Sequence, residues 1–181
     1  MEGPILLHEK DEEFEILEAV IWFFCLSLHT DIDVANDDGF YSCKDPKYIS
    51  VNDFSFSRLH IPPTTTYKRK QVFNQVFDHQ LPGLNTLGIS MLLFDFAVGE
   101  FVPPHVHFKG TEIFVVLRGS ILVNLNTSGP FNHQFTQVIR KGDVFVIPKG
   151  LYHSQKNVGK TDAIVIAAFN CQNPDVFHFR H

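Results

Sequence analysis

Residues 103–119 read PPHVHFKGTEIFVVLRG. Pro103-Pro104 stiffens the entry to this stretch and removes two backbone donors. His105 and His107 stand two apart in a segment that reads as extended. Side chains alternate along a strand, so both imidazoles leave the same face. Phe108-Lys109-Gly110-Thr111 reads as a bend into a new strand that opens with Glu112 and continues as Ile113-Phe114-Val115-Val116-Leu117. A carboxylate heading an apolar strand is costly to bury unless it is paired or binds a metal. Taken alone the pattern is common: with ten histidines in the chain, roughly half a His-x-His arises by chance. Glu112 alone would be a solvated strand end.

A second stretch changes the odds. Gly142-Asp143 starts another apolar strand, and Pro148-Lys149-Gly150 is a turn that delivers His153. Taken singly, His153 reads as a surface histidine after a turn. Two turn-flanked strands presenting His105, His107, Glu112 and His153 together are harder to dismiss. Three neutral imidazoles and one carboxylate, with no thiolate, suit a first-row divalent ion, and ligand type alone permits iron, nickel or zinc as well as manganese, with positions left for water or substrate if the ion is six-coordinate.

Outward from these stretches the texture is all-β. From Cys43 on, short runs rich in Val, Ile and Phe alternate with Gly, Pro and Asn clusters. Strands are predicted over 71–77, 88–97, 112–117, 120–126, 143–147 and 162–169. Several runs are continuously apolar, which predicts burial on both faces. Many short strands with tight turns point to a jelly roll or barrel. The chain of 181 residues suits one domain, and 44% hydrophobic against 19% charged residues allows a core. Nineteen Phe favour aromatic-rich strands. The net charge of −5 and the lack of a basic stripe argue against nucleic acid as a partner. Lys68-Arg69-Lys70 reads as a solvated turn.

Residues 1–42 differ from the rest. An acidic patch precedes the apolar run Val20 to Leu28, and 10–27 is compatible with one amphipathic helix. The run is too short to span a bilayer, and its upstream flank has the wrong charge for a secretory leader. Three cysteines are present, Cys25, Cys43 and Cys171. Cys25 and Cys43 close a short loop if the compartment is oxidising; otherwise all three are ordinary buried thiols. Asn126-Thr127-Ser128 is a glycosylation sequon in a Gly-Pro loop, a triplet also frequent by chance.

The two stretches resemble the boxes of the germin-like proteins of plants, members of the cupin superfamily. Gly99, His105-x-His107, Glu112 and Gly119 match the first box in spacing. Gly142, Pro148-x-Gly150, His153 and Asn157 match the second. Gly83-Leu84-Asn85-Thr86-Leu87-Gly88, Cys43-Lys44-Asp45-Pro46 and Asn170-Cys171-Gln172-Asn173-Pro174 look like germin-like segments too. The resemblance runs from about 39 to 175. It implies a single cupin jelly-roll barrel over 43–175, between a divergent, partly helical segment 1–42 and a short tail 176–181. It further implies manganese held by His105, His107, Glu112 and His153, a disulfide between Cys25 and Cys43, secretion to the apoplast, and a link to defence or stress.

Three departures qualify these expectations. An acidic segment stands where the family has a hydrophobic leader. The family's C-terminal helices, which clasp subunits into homo-oligomers, would follow Asn173-Pro174, whereas this sequence stops at His181; stable oligomers are therefore not expected. Oxalate oxidases of the family place two asparagines beside the metal, and a gap-free count puts Leu92 and Val102 there. Apolar side chains cannot hydrogen-bond a carboxylate substrate. The sequence thus favours a manganese-binding germin-like protein without oxalate oxidase activity, with superoxide dismutation open to it. The alternatives are another cupin metalloenzyme, a dioxygenase or isomerase, and a non-catalytic extracellular binding or storage-like protein.

Overall fold

The computed structural model describes residues 46–61, 71–127, 129–130 and 132–178. The predicted helix 10–27, the Cys25–Cys43 pairing, the turn at Lys68–Lys70 and Ser128 of the sequon lie outside the described residues. Nine strands follow in chain order: β1 (Gln71–Val76), β2 (Ser90–Phe96), β3 (Phe101–His105), β4 (Glu112–Arg118), β5 (Ser120–Asn126), β6 (Gln134–Arg140), β7 (Val144–Ile147), β8 (Tyr152–Asn157) and β9 (Ala163–Phe169). They form a five-stranded sheet ordered β1-β2-β9-β4-β7 and a four-stranded sheet ordered β3-β8-β5-β6, paired antiparallel. Only three short 3₁₀ turns accompany them among the described residues. This is the two-layered all-β architecture expected of a jelly roll.

Alternation builds the core between the layers. Ile121, Val123 and Leu125 of β5 point inward, as do Ala163, Val165, Ala167 and Phe169 of β9. Phe96, Phe114 and Ile147 complete the filling, each buried large side chain contributing about 1.5–3 kcal/mol. Gly119 lets β4 turn into β5 and so change sheets. It has a φ of +87°, and a Cβ there would fall 2.5 Å from the Ala163 Cβ. Only glycine meets both demands.

The six predicted strands are present, with 120–126 matched at both ends and the other ends shifted by at most two residues. Burial on both faces is not what the continuous runs achieve. In β4, Phe114 and Val116 are buried, but Ile113 and Leu117 are 49% and 44% exposed. In β7, Val144 and Val146 face outward at 58% and 52%. Strand alternation forces every second residue away from the core, and no described residue covers the outer face at these positions.

Two strands, β6 and β8, were missed, and β3 was read only as an extended segment around His105. β3 contains two prolines, and it pairs with β8 only at Phe101, Val102 and His105, with a register shift between the last two. Such a strand is tolerated at a sheet margin, where β3 lies. β8 reads YHSQKN and carries little apolar signal because its inward residues His153, Gln155 and Asn157 are polar.

Candidate metal centre

His105 and His153 are direct partners across β3 and β8. Their rings lie 4.1 Å apart, centroid to centroid. His107 follows one turn of the alternation later, its ring 5.0 Å from that of His105. Glu112 enters from the other sheet, at the head of β4, where it is paired with Ile147 and Phe169. The site thus sits where the two layers meet, and all four residues are at most 5% exposed. One nitrogen or oxygen from each lies within 4.8 Å of every other.

The main chain sets the orientation of each imidazole. His105 Nδ1 donates to the Pro103 carbonyl at 2.8 Å, His153 Nδ1 to the Leu151 carbonyl at 2.9 Å, and His107 Nδ1 to the carbonyl of Asp175. A carbonyl only accepts, so these partners assign the ring hydrogen to Nδ1 and leave a lone pair on Nε2. The Nε2 atoms of His107 and His153 face Glu112 Oε2 at 3.4 and 3.3 Å. Three lone pairs and a carboxylate therefore converge with no donor of their own between them. That arrangement calls for a cation. The donor set, three nitrogens and an oxygen donor without sulfur, fits a first-row divalent ion, and the tethers are the outer-shell contacts that metal-binding histidines ordinarily make.

The turn after β7 supports the same point. Gly150, with a φ of +81°, donates its N–H to the His107 carbonyl at 2.9 Å, joining the turn that delivers His153 to the first histidine pair. Thr111 receives the Lys149 N–H on its hydroxyl at 3.2 Å and donates its own N–H to Asn170 Oδ1 at 2.7 Å. The bend before Glu112 is thereby fixed from two sides.

Proton affinities follow from this burial. Desolvation pushes the His105 imidazole down from its ordinary 6.5 to about 3, and the nearby His153 adds to the effect. Burial pushes the Glu112 carboxyl up, but when no cation is bound and the His107 and His153 rings carry a hydrogen on Nε2 as well as Nδ1, their hydrogen bonds to it outweigh burial and hold the group at about 2, against an ordinary 4.5. Both groups bind protons less readily in the folded chain than in the unfolded one. The stability they contribute is complete above pH 6.5 and is lost as the pH falls, toward 3 for His105 and from 4.5 toward 2 for Glu112. The denaturation midpoint of chelator-treated protein is expected to be lower at pH 4.5 than above pH 6.5. An unchanged midpoint across that interval would contradict this assignment.

Sequence reasoning missed several contributors. Asp175 tethers His107 and accepts an ion pair from Lys109 at 2.9 Å. Val106 bridges to Phe177, and His178 places its ring 5.9 Å from that of His105. No local pattern marks a segment so distant in sequence as part of the site. Gln155 was also missed. It is 4% exposed, lines the space beneath Glu112 with Phe94, Phe96 and Phe114, and its Oε1 has no hydrogen-bond partner. Its spacing of two from His153 was the available signal. Cys171 is half-buried and forms no disulfide among the described residues. Asn126 is half-buried in β5, facing away from the core.

A cupin family model matches residues 57–180. A rice protein, putative germin-like protein 2-3, is 50% identical over 135 residues, covering 75% of this chain and 60% of that protein. Germin-like protein subfamily 1 member 10 of Arabidopsis thaliana is 43% identical over 153 residues, covering 84% and 68%. Among solved structures, a recombinant oxalate oxidase in complex with glycolate superposes with a TM-score of 0.75 at 36% identity, over 85% of this chain and 76% of that one. The fold and the buried cluster define a cupin. The chain belongs to that family and, within it, to the germin-like proteins. It spans about three fifths of the length of the first curated relatives it matches.

Proposed function

We propose that His105, His107, Glu112 and His153 hold one manganese ion, and that the protein acts outside the cell as a germin-like metalloprotein without oxalate oxidase activity. The observation that carries this is the convergence of four buried ligand atoms within 4.8 Å, three of them imidazole nitrogens aimed by main-chain tethers. A bound manganese ion would supply a one-electron redox couple and open coordination positions, which is what superoxide dismutation needs. The protein contributes the aim of the imidazoles, the charge of Glu112 and the exclusion of bulk water. Secretion and a role in defence or stress belong to the same reading, and they rest on the family.

The oxalate oxidases among the similar structures raise the question of that substrate. Leu92 and Val102 are both buried and belong to the apolar core cluster. Neither can donate a hydrogen bond to a carboxylate, and a site lacking such contacts discriminates against the substrate by several kcal/mol, roughly. The space beneath Glu112 is lined by Phe94, Phe96, Phe114, Ile121 and Val165, with Gln155 the polar exception. This also disfavours a polar organic substrate there.

Metal analysis of protein from its natural tissue, followed by assays of the manganese-loaded form, tests the reading. Stoichiometric manganese, no hydrogen peroxide from oxalate, and accelerated superoxide decay are expected. Hydrogen peroxide produced from oxalate would contradict the proposal.

A further inference from the structure

The outer face of the four-stranded sheet carries a second polar surface, on the side of β5 and β8 away from the metal ligands. Here we propose a binding groove for a neutral saccharide. Register builds it in two cross-strand rows. Gln134, Asn126 and Tyr152 are mutual neighbours on β6, β5 and β8, and Thr136, Asn124 and Ser154 form the adjacent row. Asn124, Asn126, Tyr152 and Ser154 form a half-buried floor, while Gln134 and Pro104 stand as exposed rims. Together with His153, which lies between Tyr152 and Ser154 on β8 and borders the groove from behind, they enclose about 200 Å³. That is smaller than the roughly 300–1,000 Å³ of drug-sized sites, and suits a single sugar ring of a longer chain.

The chemistry of the lining selects the ligand class. No Asp, Glu, Lys or Arg lines the groove, and the one histidine there, His153, is buried and has its imidazole turned to the metal site, which disfavours phosphates, carboxylates and cations. Each carboxamide offers a donor and an acceptor side by side, the complement of neighbouring hydroxyls on a sugar. The Asn124 amide is already oriented: its Nδ2 donates to Ser154 Oγ at 3.3 Å and its Oδ1 accepts from Thr136 Oγ1 at 2.9 Å. The Asn126 Oδ1 differs. It is shielded from water and has no hydrogen-bond partner, a cost that a ligand hydroxyl would offset. Tyr152 adds a ring with an apolar face and a polar tip. The same placement argues against Asn126 as a glycan attachment point, since a covalent sugar would fill the groove itself.

The source of the saccharide, a wall-type polysaccharide or the glycan of another glycoprotein, is separated by the choice of probe. Metal-loaded protein is titrated with cellohexaose and, separately, with a high-mannose oligosaccharide, following backbone amide resonances of 124–126 and 152–154. Saturable shifts with at least one probe are expected, in the millimolar range or tighter, about −4 kcal/mol. Asn126→Ala should weaken binding about tenfold, about 1.4 kcal/mol, with metal content unchanged. Gln134→Ala, at an exposed rim position where folding is not at stake, should weaken it as well. The proposal is overturned if neither probe binds up to about 10 mM, if binding survives both substitutions, or if protein from its natural tissue carries a glycan on Asn126.

Discussion

Alanine in place of both His105 and His107 is expected to leave the purified protein without stoichiometric metal while its β-sheet signal persists. Each imidazole supplies one of four converging ligand atoms, and each is already aimed by a main-chain carbonyl. Loss of an outer-shell partner alone typically weakens metal affinity by about 10–100-fold, so loss of two direct ligands should exceed ~100-fold. Folding should tolerate the change in part because it removes two groups whose lone pairs oppose Glu112 and His153. The exposed His133 replaced by alanine serves as the control and should keep its metal. Elemental analysis beside circular dichroism reads both quantities. Bound metal unchanged in the double variant would refute the ligand assignment.

Asn157→Ala is expected to destabilise the protein by about 4 kcal/mol, as buried polar groups left unsatisfied cost about 1–3 kcal/mol each. Asn157 is 1% exposed. Its two Nδ2 hydrogens are shared among the carbonyls of Phe96, Ala97 and Thr161, at 3.1, 3.1 and 2.9 Å, and its Oδ1 accepts from the Gly159 N–H at 2.9 Å. One side chain thereby joins the end of β2, the end of β8 and the turn that leads to β9. Alanine would strand buried main-chain groups that water cannot reach. Denaturant unfolding measures the loss. A shift below about 1 kcal/mol, the net value of one ordinary hydrogen bond, would show that the clamp is redundant.

The parts of this molecule readable from sequence were those governed by local pattern. Box spacing singled out His105, His107, Glu112 and His153, because turn-flanked strands fix the direction of each side chain. Strands such as β5 and β9 were readable because their apolar density is high. β3 and β8 were not, since Pro103-Pro104 and an inward row of His153, Gln155 and Asn157 hide them from any hydrophobic measure. The outward exposure of Ile113, Val144 and Val146 escaped the reading for a related reason: composition does not say which face of a strand is covered. The tether from Asp175 to His107 joins residues 68 apart in sequence, and only the folded chain brings them together.

The two prolines that lead into His105 have a second effect. β3 is the outermost strand of its sheet, and such a margin ordinarily presents main-chain groups onto which foreign strands can template. Pro103 and Pro104 lack amide hydrogens, and because successive amides of a strand point to opposite sides, one of the two is withdrawn from the open margin while the pair breaks the flat ladder beside the buried ligands. The approach to the metal centre is thereby a poor seed for aggregation, and protection from misassembly comes from the same two rings that stiffen the histidine pair.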